Sequence, residues 1–137
     1  MTEAETILKL IETVSPDDTA KLDEIDLAVW RYLYAGTNNR YAGHPNGDYA
    51  GPQFTRDRSL LKEIRPEANW FQTKLYPEVR VLGVRGSGES KVTETTMIAV
   101  YECAAISYGL KSPRLPTEEL AELHAILQSL EYERSQK

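Results

Sequence analysis

The sequence predicts a mixed α+β domain, a small antiparallel sheet of about three to four strands packed by helices. Three observations lead there. Residues 93–110, TETTMIAVYECAAISYGL, place apolar side chains around nearly the whole circumference of a helix, which predicts a central helix buried on most sides. Residues 69–85 alternate side chains with a period of two, the pattern of half-buried strands. Residues 3–14, 15–34 and 117–134 repeat aliphatic side chains at helical spacing.

The 137 residues suffice for one domain with a substantial core, spanning 1–137. No apolar run approaches the roughly 20 residues that cross a bilayer. The acidic, helically patterned N-terminus predicts neither a signal nor a transit peptide, so a cytoplasmic protein is expected. A single cysteine, Cys103, excludes an internal disulfide framework and a cysteine-based zinc site. Charge is unevenly placed. Residues 1–26 carry 8 acidic and 2 basic side chains, residues 27–91 carry 6 and 10, and residues 92–137 carry 7 and 4, for a net −5. An acidic chain is a poor non-specific binder of nucleic acid, although the basic middle could hold a small anion.

In chain order, Ile7, Leu10, Ile11 and Val14 give helix 3–14 one apolar face. Ser15 is its successor's expected N-cap, with Pro16 at the first helical position and Asp18 closing the turn. That second helix runs to about Tyr34, with Leu22, Ile25, Val29 and Leu33 inward and Asp23, Glu24, Asp26 and Arg31 toward water. Leu27, Trp30 and Tyr34 form an offset stripe that either widens the buried face or marks a binding surface. Residues 35–54 are rich in Gly, Asn, Pro and Tyr; strand pieces are expected at 40–44 and 48–50 around an Asn46-Gly47 turn. Thr55 caps an expected helix over 56–64, ended by Pro66. Strands 69–76 and 78–85 would form a hairpin at Tyr76-Pro77-Glu78, with a third strand at 90–92 after the turn residues Gly86-Ser87-Gly88. Gly109 then stops the central helix, and Thr117 caps the last one. Its narrow Leu120, Leu123, Leu127, Leu130 seam fits either the domain or the same helix of a second copy, so a homo-oligomer is expected, with 117–134 as one route to it.

Several segments resemble the phage ABA sandwich domain family, small α/β proteins of phages and prophages. They are Lys21-Leu22-Asp23-Glu24-Ile25-Asp26-Leu27-Ala28, Pro52-Gln53-Phe54-Thr55-Arg56-Asp57-Arg58-Ser59-Leu60-Leu61, and Ile64-Arg65-Pro66-Glu67-Ala68-Asn69-Trp70. The last of these is similar to the family's Leu-Val-Pro-Glu-Gly-Trp passage into the sheet. Glu94–Val100 through Ala104-Ala105 resembles the Ala-Thr-Pro-Ala-Leu-Ala motif that opens its last helix. The family's proline is Thr96 or Met97 here, and its glycine before the tryptophan is Asn69. The likeness spans about 21–110 and leaves helices 3–14 and 117–134 as flanking additions. It implies a layered α-β-α sandwich, a phage or prophage origin and a bacterial host cell. It transfers no activity to named residues.

Catalytic chemistry is poorly represented. His44 and His124 are isolated, His124 is expected on a helix surface, and Cys103 reads as inert packing. No nucleophile elbow, Walker loop or dinucleotide fingerprint occurs, so no metal or cofactor is expected and a non-enzymatic role is favoured over a hydrolase. Thr55, Arg56 and Arg58 crowd a helix N-terminus, where an anion is favoured. Trp30, Tyr41, His44 and Trp70 add flat or polar groups, with Tyr34 and Tyr49 nearby in sequence. Together they outline a site for a nucleotide-like ligand, in an accessory protein that sequesters a host signal. The alternative is a protein-binding factor with no small ligand. On the ligand reading, replacing Arg56 and Arg58 together by alanine should leave the fold intact.

Overall fold

A computed structural model describes residues 2–34, 51–66 and 70–136. Helices α1 (Glu3–Thr13), α2 (Thr19–Leu33) and α3 (Arg58–Ile64) precede strands β1 (Phe71–Arg85), β2 (Val92–Ala105) and β3 (Leu110–Lys111), and α4 (Glu118–Ser135) closes the chain. The sheet is antiparallel with order β1-β2-β3. The fold is therefore α+β, as the patterning predicts, with helices packed on a small antiparallel sheet.

The largest correction concerns residues 93–110. They form β2, a short 3-10 turn (Ile106–Tyr108) and the start of β3 rather than a helix. Six of the nine residues 92–100 are Val, Thr or Ile, whose branched side chains lose rotamer freedom in a helix and pack well on a pleated surface. Gly109 does adopt the left-handed conformation, at φ 67°, but it caps the 3-10 turn. The stretch likened to a family's last helix is thus a strand here.

The second correction follows from the first. Tyr76-Pro77-Glu78 is not a turn: β1 runs straight through it, Pro77 pairing in register with Ala99. A proline is admissible because β1 is an edge strand among the described residues, where a missing N–H can face away from the ladder. The hairpin instead reverses across Gly86–Lys91, where Gly86 (φ 86°) and Gly88 (φ 60°) supply left-handed backbone and Gly88–Ser90 forms a 3-10 turn in place of the expected third strand.

The central buried helix is α4. Leu120, Ala121, Leu123, Ala125, Ile126 and Leu127 are all sealed in the core with Ile7 and Ile11 of α1, Leu22, Ile25 and Val29 of α2, Leu61 of α3, and Cys103 of β2. Three of the four seam leucines are therefore spent within the chain. Thr117 caps α4 as expected, accepting from Leu120 N at 3.2 Å. Two other caps move. Asp18, not Ser15, accepts from Lys21 N (3.2 Å), and Asp57, not Thr55, accepts from Ser59 N (2.9 Å). Either carboxylate is a strong cap. α2 is bound to the C-terminal end of α4 by the Tyr32 hydroxyl, which donates to Glu131 Oε2 (2.7 Å), and by Arg134, whose guanidinium lies 4.0 Å over the Tyr32 ring. Burial, then the Glu131 bond, pushes that phenol's pKa well above its usual range.

Candidate functional site

The predicted anion-site residues do not converge. Asp26, expected toward water, is fully buried. Its Oδ1 accepts from the Thr55 backbone N–H (2.8 Å), and its Oδ2 accepts from Arg56 Nη2 (2.6 Å). Arg56 also bonds Asp23, so its guanidinium is committed to α2. Burial pushes the Asp26 carboxyl up, against the pull of Arg56 and Thr55. Burial also works against the Arg56 charge, yet its carboxylate bonds hold its pKa above the ordinary value.

Arg58 turns the other way, to α4. Its Nη1 donates to Glu118 (2.6 Å) and its Nε to Glu122 (2.8 Å). Arg65 Nη2 donates to the other oxygen of the buried Glu122 (2.7 Å). These bonds clamp α3 between α2 and α4. Trp30 is half-buried with its ring 4.2 Å from that of Tyr34, and Trp70 stands 77% exposed just ahead of β1. Tyr41, His44 and Tyr49, with the strand pieces and turn predicted for 35–50, lie outside the described residues.

His124 is buried rather than on a helix surface. Gln128 Nε2 donates to Nδ1 (2.7 Å), which leaves Nε2–H to donate to Glu12 Oε1 (3.0 Å). One neutral tautomer makes both bonds. Burial lowers its pKa, with Glu12 opposing. Cys103 is fully buried, as predicted, and burial raises its thiol pKa. Among the described residues no three His, Cys, Asp or Glu side chains gather to hold a metal ion, and no helix is long and apolar enough to cross a membrane. A cleft of about 540 Å³ between the α1–α2 connection and the sheet is lined by Glu12, Asp17, Glu78, Arg80 and Arg114, charges of both signs, and by none of the predicted ligand residues that are described, Trp30, Thr55, Arg56, Arg58 and Trp70.

The surface that stands out is one the sequence-based site omitted. β1 and β2 form a ladder from Phe71–Ala105 to Arg85–Val92; on the charged face the α1–α2 connection reaches Glu78, Arg80 and Ile98, while on the opposite face the described body covers only the base. Beyond Pro77 and Ala99 the hairpin is a two-stranded arm. Its register sorts side chains by face. Lys74 and Glu102, Glu78 and Ile98, Arg80 and Thr96, Glu94, Arg85 and Val92 share one face, where Arg85 Nε bonds Glu94 Oε1 at 2.6 Å. The opposite face bears Phe71, Thr73 and Cys103 at the base, then Leu75, Val79, Val81, Val84, Thr93, Thr95 and Met97 outward. No charged residue falls on it. An irregularity between Val81 and Gly83 matters here: the extra residue, Leu82, keeps Val84 on this face opposite Thr93. Leu75, Val79, Val81, Val84 and Met97 are each between 52% and 61% exposed.

Comparison with protein-family models, curated proteins and solved structures finds no match.

The face that enters the core at the base of the sheet thus continues into solvent with the same chemistry. An antiparallel sheet ordinarily buries one face and wets the other, and exposed contiguous apolar patches of several hundred Å² mark interaction sites. The sequence signal was present in Val79, Val81 and Val84 against Thr93, Thr95 and Met97. Assigning 93–110 to a helix concealed it, because the two runs then had no shared face.

Proposed function

We propose that the protein is a non-enzymatic interaction module whose working surface is the uncharged face of the β-arm. The observation that carries this reading is the row Leu75, Val79, Val81, Val84 and Met97, apolar, charge-free and left open beyond the helical body. A monomeric soluble domain gains nothing from such a row, since burying each side chain is worth about 1.5–3 kcal/mol and here that gain is not collected within the described chain. Capture of a nucleotide-like anion by Arg56 and Arg58 has less support, because both guanidiniums are already held by carboxylates. A phage or prophage origin, implied by the sequence resemblance, and a cytoplasmic place of action, expected from the N-terminal patterning, belong to the same proposal.

A photo-crosslinking amino acid at Val81 tests it in cells. Adducts to protein are expected at position 81 and not at Arg31, an exposed position on α2. They should vanish when Val79 and Met97 are both replaced by lysine, with the far-UV spectrum unchanged. Equal yields at positions 81 and 31, or none at 81, would remove the arm as the working surface.

A further inference from the structure

Resting on that reading, we propose that the occupant of the arm is a second copy of this chain, the two uncharged faces packed on one another with the arms antiparallel. Four observations favour a second copy over a different partner.

The first is chemical. The open face has no charge and no ordered array of polar groups, so the surface most complementary to it is another uncharged, aliphatic and threonine-rich sheet face, which it is itself. Two such faces stack about 10 Å apart with side chains interdigitated, as in a β-sandwich.

The second is electrostatic. Residues 78–98 carry three basic and three acidic side chains, so the arm is neutral while the chain as a whole is −5. All net charge therefore resides outside the arm. Antiparallel arms place the two acidic remainders at opposite ends of the joint, whereas parallel arms would set them side by side. A strongly charged partner, nucleic acid included, would find no steering charge on this face.

The third is size. Five apolar side chains more than half exposed, with the methyls of Thr93 and Thr95, offer on the order of 500 Å² per copy, and the adjoining backbone brings this toward the roughly 800 Å² that each partner contributes to a specific interface. The fourth concerns the arm itself. A lone two-stranded ribbon is at best marginal in water, and stacking on a second ribbon gives each the apolar layer it lacks. The seam of α4, by contrast, is unavailable for pairing, since Leu120, Leu123 and Leu127 are sealed in the core.

Sedimentation equilibrium of the purified full chain, from dilute solution to several hundred micromolar, tests this. The mass of two chains is expected. Val81→Lys should weaken the dimer at least tenfold, while Thr96→Lys, the same charge change on the opposite face of the arm, should leave it within about twofold. If Val81→Lys misfolds, Val79→Thr with Val81→Thr keeps branched side chains and should still weaken pairing. A wild-type monomer throughout, or a Val81→Lys dimer as tight as wild type, overturns self-pairing. The two readings separate cleanly. A monomer whose position-81 crosslinker captures a different protein keeps the interaction module and discards the second copy; a monomer with no adduct at 81 discards both.

Discussion

The helical body and the β-arm spend their charges in opposite ways. In the body, carboxylates go inside and recruit partners: Asp26 holds Arg56 and the Thr55 N–H, and Glu122 holds Arg58 and Arg65. In the arm, every strand charge lies on one face and the other face has none. The body's charges bind its own helices together, so Arg56, Arg58 and Arg65 are occupied. The arm's sorting leaves an uncharged, apolar face exposed. An arginine-rich segment is therefore a weak pointer to an anion site where, as with Arg56 and Arg58, the guanidiniums are already paired.

The widest gap between the regions should appear on removing the arginines. Arg56→Ala with Arg58→Ala strips Asp26 and half of the Glu122 pairing. Breaking one such buried pair costs about 3–5 kcal/mol, toward the low end here because Arg56 is a quarter exposed. Urea unfolding should show a loss of at least about 3 kcal/mol; a loss under about 1 kcal/mol would restore these arginines as free ligand groups. This reverses the sequence expectation that the double variant folds normally.

A core truncation comes next. Leu123→Ala in α4 should cost about 3 kcal/mol by cavity formation, read from the same unfolding curves. A smaller, pH-dependent effect is expected at His124. Burial depresses its folded pKa below the ordinary 6.5, so the neutral form is preferred in the fold. Its contribution is then present above the unfolded pKa and is lost as pH falls through 6.5 toward the folded value. His124→Gln should flatten that part of the stability–pH profile; an unchanged slope would assign the acid loss to other groups.

The smallest effect on stability belongs to the arm. Val81→Ala should change the unfolding free energy of a dilute monomeric sample by under about 0.5 kcal/mol, since the side chain is already 59% exposed. A cost near that of Leu123→Ala would show that the arm is covered within the chain and would erase the contrast.

Much of the fold was legible. Ile7 and Ile11, Leu22, Ile25 and Val29 take the buried positions their spacing predicts, and Leu120, Leu123 and Leu127 of α4 turn into the domain. Asp26 and His124 were misplaced because a polar side chain on a helix reads as solvated unless its distant partner is known; Thr55, Arg56 and Glu12 lie far away in sequence.

By itself the sequence determined the helices at both ends, the last helix's cap and the α+β class, since these rest on local periodicity and on hydrogen bonds within a few residues. The tertiary structure decided that 92–105 is a strand, that β1 runs through Pro77, and that one uncharged face emerges from the core. A run apolar on all sides satisfies helical and strand periods alike, and only its pairing partner, here β1, selects between them.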